Sequence, residues 1–164
     1  MKHPATMALL AGGLLFLLVL LFGCDHGISP PPPPDYGAIR GSVYIRSPWP
    51  PRDSVRDLRF VAFRIVPRDT ADFLNLNNFI YSPSLLTYFG ADSFTFFVDS
   101  VPAGVYVYSG IAHRFGPGLL DWRPVGLYAD EAQRPRPFQV ERGEVVRDIR
   151  IEVDFYQRPP FPPR

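Results

Sequence analysis

The chain has 164 residues, 46% of them hydrophobic and 20% charged, and 20 are proline, which is enough for one ordinary domain. Seventeen Lys and Arg against 16 Asp and Glu leave a net charge of +1. That lacks the clustered basic excess from which phosphate binding draws its affinity, so no nucleic-acid partner is expected. A single cysteine excludes a disulfide framework and any Cys-based zinc site.

Met1-Lys2-His3 makes a short positive start, and Ala5 to Gly23 then runs without charge, Thr6 being its one polar residue. Such a stretch reaches ~28 Å as a helix, close to the ~30 Å hydrocarbon core, so its length suits a cleaved signal and a retained anchor equally. The segment ends in Leu21-Phe22-Gly23-Cys24, which resembles the lipobox of bacterial lipoproteins. The resemblance implies that residues 1–23 are a signal peptide, that cleavage falls between Gly23 and Cys24, and that Cys24 is lipidated with palmitate-type acyl chains. It also implies anchoring in the bacterial cell envelope, at the outer membrane or the periplasmic face. An uncleaved signal-anchor and plain secretion are the competing readings.

After Gly23 the composition changes abruptly to Asp25-His26-Gly27 and then five prolines, Pro30 to Pro34. This reads as a proline-rich tether over 24–35. In polyproline II the five prolines span ~15 Å and lift the rest of the chain off a membrane surface. Each buried acyl CH₂ adds ~0.8 kcal/mol to membrane affinity, so two or more chains on one cysteine hold a protein stably. Lys2 is the only lysine, so the processed chain carries arginine as its sole strong base and offers no Schiff-base or lysine general-base chemistry.

In the remainder Val, Ile, Phe and Tyr outweigh Ala and Leu, which favours pleated surfaces over helices. Ile39, Val43 and Ile45 alternate with Arg40, Ser42, Tyr44 and Arg46 as a first strand. Leu58 to Val66 is apolar on both faces, as in a central strand. Between Asp69 and Phe79 a helix of one or two turns is expected, capped by Asp69 or Thr70 and carrying Phe73, Leu74, Leu76 and Phe79. Ser93 to Asp99 and Val105 to Ala112 read as a hairpin joined by Ser100-Val101-Pro102-Ala103-Gly104, since Pro102 pre-sets φ and Gly104 frees the exit. Pro124 to Tyr128 is expected at an edge because of its proline. Phe138 to Val140 and Val145 to Phe155 read as a second hairpin about Glu141-Arg142-Gly143-Glu144. In its long arm Ile149, Ile151, Val153 and Phe155 face a core, and Asp148, Arg150, Glu152 and Asp154 face water. Residues 158–164 read as a proline-rich, disordered tail that also fits a polyproline recognition pattern.

The expected fold is therefore all-β: a single antiparallel β-sandwich of about seven strands over 36–157, Ig-like or transthyretin-like, behind a hydrophobic signal helix. An open barrel is the alternative. Ile39-Arg40-Gly41-Ser42-Val43, followed by Phe94-Thr95-Phe96 and Val101-Pro102-Ala103-Gly104-Val105-Tyr106, is similar to the carboxypeptidase-regulatory-like, transthyretin-related sandwiches of bacterial surface proteins. That resemblance covers about half of the domain and implies a non-catalytic module.

Reactive constellations are scarce. His113 is the domain's one histidine, and the sequence has no Gly-x-Ser-x-Gly elbow, His-Glu-x-x-His pair or phosphate-cradling glycine loop. Glu152 and Asp154 share a strand face with Arg150, and Asp53 and Asp57 are interleaved with Arg52, Arg56 and Arg59; both sets read as surface ion pairs. No enzyme activity, cofactor or metal site is expected beyond a weak Ca²⁺ site from loop carboxylates. With 14 Phe, 8 Tyr and 2 Trp, aromatics are the one excess a binding function could use. Trp49 and Trp122 lie in Pro- and Gly-rich loops and are the candidate ligand contacts, for a glycan or for a proline segment of another envelope protein. The competing reading has each Trp plugging an end of the sandwich.

Overall fold

The alternation over the last strand positions the whole core. Ile149, Ile151, Val153 and Phe155 are all buried, while Asp148, Arg150 and Glu152 are exposed. A computed structural model describes residues 35–161 except 70, 71, 73 and 74. The expected signal helix, Gly23, Cys24, the tether as far as Pro34, Thr70, Phe73, Leu74 and the last three residues of the tail lie outside the described residues.

The described chain is all-β, with nine strands and only short 3₁₀ turns between them. The strands are β1 (Tyr36–Ile45), β2 (Asp57–Phe63), β3 (Phe79–Tyr81), β4 (Ser93–Pro102), β5 (Gly104–Tyr106), β6 (Tyr108–Arg114), β7 (Trp122–Leu127), β8 (Phe138–Val140) and β9 (Val145–Val153). Seven form one nearly closed sheet in the order β3-β2-β6-β7-β9-β1-β4, and β5 and β8 form a separate pair. Side chains from both ends of that order meet inside: Phe60 of β2 stacks on Phe96 of β4 at 4.6 Å between ring centroids. Ile39, Val43, Leu58, Ile111 and Ile149 fill the space around them.

Four expectations are corrected. The sheet is not purely antiparallel, because β1 runs parallel to β9, with Val43 opposite Ile151, while pairing antiparallel with β4 on its other side. The Pro102–Gly104 reversal is present, with Gly104 at φ +144°, but its arms do not form a hairpin. β4 pairs with β1, β5 pairs with β8, and β6 lies between β2 and β7. The Glu141–Glu144 turn likewise closes, its Glu144 amide donating to the Glu141 carbonyl at 3.2 Å, yet β8 pairs with β5 and β9 with β1 and β7. Finally, β7 is interior rather than at an edge. A register shift in the β6–β7 ladder puts Gly126 opposite Ile111 and Pro124 opposite Ala112. Proline is tolerated in a sheet interior at such a bulge, where the ladder does not need its missing N–H.

Among the described residues of the stretch expected to be helical, Leu76–Asn78 is a 3₁₀ turn, started by the Asn75 side chain accepting from the Asn77 amide, and Phe79 opens β3. β2 stops at Phe63, short of the expected Val66. A second bulge bends β9: Asp148 takes φ +64° where the β1–β9 register shifts.

Candidate functional site: an apolar trough on the outer sheet face

β2 and β6 are apolar on both faces for different reasons. Leu58, Phe60, Ala62 and Ile111 point into the core. Val61, Phe63, Tyr108 and Ala112 belong to the opposite face, where they floor a trough. Its enclosed end holds roughly 90 Å³ and its open end roughly 380 Å³. Both ends share Leu119, Leu120 and Trp122. Leu76 and Leu119 are 67% and 75% exposed, and Tyr81 and Leu120 each 51%, so several large apolar side chains face water around one depression. Clustered exposure of that kind calls for an explanation, whereas single exposed leucines do not.

The leucines are held in place. The Asp121 carboxylate accepts from the Gly118 amide at 2.6 Å, the Phe115 amide donates to the Asp121 carbonyl at 3.0 Å, and Arg114 donates to the Pro117 carbonyl at 2.6 Å. Across the trough the Arg59 guanidinium lies 5.1 Å from the Tyr81 ring centre and is fixed by Asp57 at 2.7 Å. Phe63 stacks on Phe79 at 4.9 Å and meets Tyr108 edge-on at 6.0 Å. Tyr108 is only 3% exposed, and its hydroxyl has no hydrogen-bond partner among the described residues. Burial in these apolar surroundings pushes that phenol up to about 12. It is thus a neutral donor at any physiological pH.

The two tryptophans have different fates. Trp49 sits among the core side chains at one end of the sheet, its ring 4.8 Å from Phe89 and 5.0 Å from Phe155, with its indole N–H donating to the Ala91 carbonyl at 3.0 Å. Trp122 opens β7 rather than lying in a loop and lines both ends of the trough. The neighbours that make Trp122 part of a surface, Leu76, Tyr81, Leu119 and Leu120, do not stand out in the sequence. The signal that could have found them is the two-faced apolarity of β2.

His113 is fully buried, with Nε2–H donating to the Ser54 carbonyl at 3.0 Å and Nδ1 accepting from Arg123 at 3.4 Å. Its pKa lies below the usual imidazole value, first because of burial, and further because of the Arg123 and Arg158 charges. The unfolded chain therefore binds this proton first as pH falls through about 6.5. Stability should be complete above that pH and fall as pH drops toward the lowered native pKa. Urea midpoints measured between pH 7.5 and 5 should decline for the wild type and stay flat for His113→Gln. A parallel decline in both would refute the assignment.

Glu152, Asp154 and Asp57 are each engaged locally. Glu152 is paired with Arg46, with Arg150 at 3.8 Å, and these arginines hold it below the usual carboxylate range. Asp154 accepts from the Tyr156 and Gln157 amides, each at 2.8 Å, and is lowered by them. Asp57 accepts from Ser84 at 2.6 Å as well as from Arg59. Among the described residues no group of three or more His, Cys, Asp or Glu could hold a metal ion, and no helix is long and apolar enough to cross a membrane.

Compared with known proteins, the chain matches no family model, no curated protein and no solved structure.

Proposed function

We propose that this is a lipid-anchored exported protein of the bacterial cell envelope whose β-domain is a non-catalytic interaction module. The observation that carries the module reading is the trough: an aromatic floor with leucines held out to solvent beside Trp122. Covering each such leucine in a complex contributes on the order of 2 kcal/mol. The anchor rests on Leu21-Phe22-Gly23-Cys24 behind an uncharged leader and ahead of Pro30–Pro34, a greasy end joined to a stiff spacer.

The finer architecture belongs to the same reading. We take the sheet as two leaves of a transthyretin-like sandwich, β3-β2-β6-β7 and β9-β1-β4, because β7 and β9 are joined through only two residue pairs, Gly126 with Val153 and Leu127 with Glu152. Tyr106 supports this by donating its hydroxyl to the Pro102 carbonyl at 2.9 Å, four residues upstream, as a tyrosine corner does in Greek-key sandwiches.

A photo-crosslinking residue at Leu119, introduced into the chain in its own membranes, tests both parts. The expected result is a discrete protein adduct, absent when the same residue replaces exposed Asp53. Intact mass of the extracted chain should show loss of residues 1–23 and gain of acyl mass on Cys24. An unmodified N-terminal methionine defeats the anchor, and equal labelling from both positions defeats the module.

The second reading, a carbohydrate- or peptide-binding module using loop aromatics, narrows with the geometry. Trp49 is engaged at the core, leaving Trp122, and the trough's leucine rim favours a peptide.

A further inference from the structure

The polar side chains that line the trough are almost all hydrogen-bond donors. Arg59, Tyr81, Tyr108, Trp122 and Arg123 line it, and among the described residues no Asp, Glu, Asn or Gln does. A ligand that fits such a lining carries acceptors without donors. A glycan suits it less, because each hydroxyl brings a donor and the tyrosine hydroxyls are the lining side chains that could accept one. An ordinary peptide is only half suited, since every residue adds an N–H. Proline removes that N–H and keeps the carbonyl, and a polyproline II segment has no internal hydrogen bonds, so all its carbonyls are available. Aromatic-lined grooves are where such segments dock.

The chain supplies an example of the occupant. Pro159 and Pro160 bring Phe161 to the enclosed end of the trough, where it lines the same cavity as Tyr108, Leu120 and Trp122. The open end beyond it, between Trp122 and Tyr81, has no tail residue in its lining among the described residues.

Building on the module reading, we infer that the trough is a receptor for a proline-rich segment of a partner protein that carries an aromatic side chain, and that Phe161 stands in for that aromatic in cis. The partner's aromatic displaces Phe161 from the enclosed end, and its prolines lie along Trp122 and Tyr81.

The probe is the peptide Arg-Pro-Pro-Phe-Pro-Pro-Arg, capped at both ends, titrated into the full chain in detergent by calorimetry. Phe161→Ala removes the internal competitor and should tighten binding about tenfold, the factor expected when the open state is a tenth of the population. In that background Leu120→Asp, at an exposed position, should weaken binding about tenfold or more. The peptide with alanine in place of phenylalanine should not bind. Thermal melts of each variant separate loss of binding from loss of fold. Equal affinity for wild type and Phe161→Ala overturns the inference, as does absence of binding to Phe161→Ala up to about 1 mM peptide. A wild-type dimer that disappears with Phe161→Ala makes the occupant a second copy and also overturns it. If the peptide fails while Leu119 still yields a discrete membrane adduct, the module reading stands and this ligand class falls alone.

Discussion

Phe60→Ala is expected to cost roughly 3–5 kcal/mol, a large share of the ~5–15 kcal/mol that holds a domain folded. Phe60 is fully buried in β2, and its ring stacks on Phe96 of β4, although β6, β7, β9 and β1 separate those strands in the sheet order. The contact therefore joins strands near the two ends of the sheet order. The cavity left by the ring cannot collapse readily. The Phe60 amide donates to the Ser82 hydroxyl at 3.0 Å, and the Ser82 amide donates to the Phe60 carbonyl at 2.9 Å, which pins the backbone at that point. Urea unfolding of Phe60→Ala, Phe96→Ala and the double variant should show a coupling of about 1 kcal/mol, the usual worth of a stacked pair beyond its buried area. Phe97→Ala, in the same strand but half exposed, should change stability by no more than about 0.5 kcal/mol. Strict additivity of the two core variants would mean that the sheet ends are held by something other than this stack.

Strand existence is legible in the sequence and strand partnership is not. The period-two pattern of Ile149, Ile151 and Val153 predicts the buried face at the end of β9, continued by Phe155 just beyond it, and β1 and β4 carry similar signals. Turn chemistry is also legible at Pro102–Gly104 and Glu141–Glu144. What a turn encodes, however, is only that the chain reverses. Whether the arms then pair depends on apolar contacts far away in sequence. Here Val43 meets Phe94 and Ile151, and Gly41 meets Phe96 and Ile149, so β1 draws in β4 on one side and β9 on the other. β8 is left to the short strand β5. Pro124 misleads in the same way, since the bulge that admits it is a property of the β6–β7 pair and not of its own segment.

The site is half legible. Trp122 stands out by residue type, but a surface needs neighbours, and these come from the Leu76–Asn78 turn, β3 and the 115–121 segment, none of which shares a local pattern with Trp122. The apolarity of Leu58 to Phe63 on both faces suggests burial between layers. It reflects instead one face turned to the core and one that floors the trough. Trp49, of the same type and in a similar proline-rich setting, is held at the core by Phe89, Phe155 and Ala91. Composition cannot distinguish the two tryptophans; their distances to other rings do.

The seam between β7 and β9 carries the other large effect. Gly126 lies in β7 opposite Val153, one of only two residue pairs that join these strands. A Cβ there would stand 2.5 Å from the Glu152 carbonyl oxygen and 2.9 Å from methyl carbons of Ile151 and Val153. The first obstacle is backbone in a buried ladder, which cannot rotate aside, so one added methyl forces the strands apart. Gly126→Ala should therefore destabilise by about 3 kcal/mol or more, at the upper end of overpacking costs. Opening should start at the seam, where the Asp154 amide donates to the Val125 carbonyl at 2.9 Å; its hydrogen exchange should accelerate before that of amides in the β1–β4 ladder. Gly143→Ala is the comparison. Gly143 has φ +73° with open space around it, so alanine there meets only the left-handed backbone penalty of about 1–2 kcal/mol. If the two variants unfold at the same urea concentration, the glycine at the seam is not excluding a side chain, and β7 and β9 can separate without loss of the core.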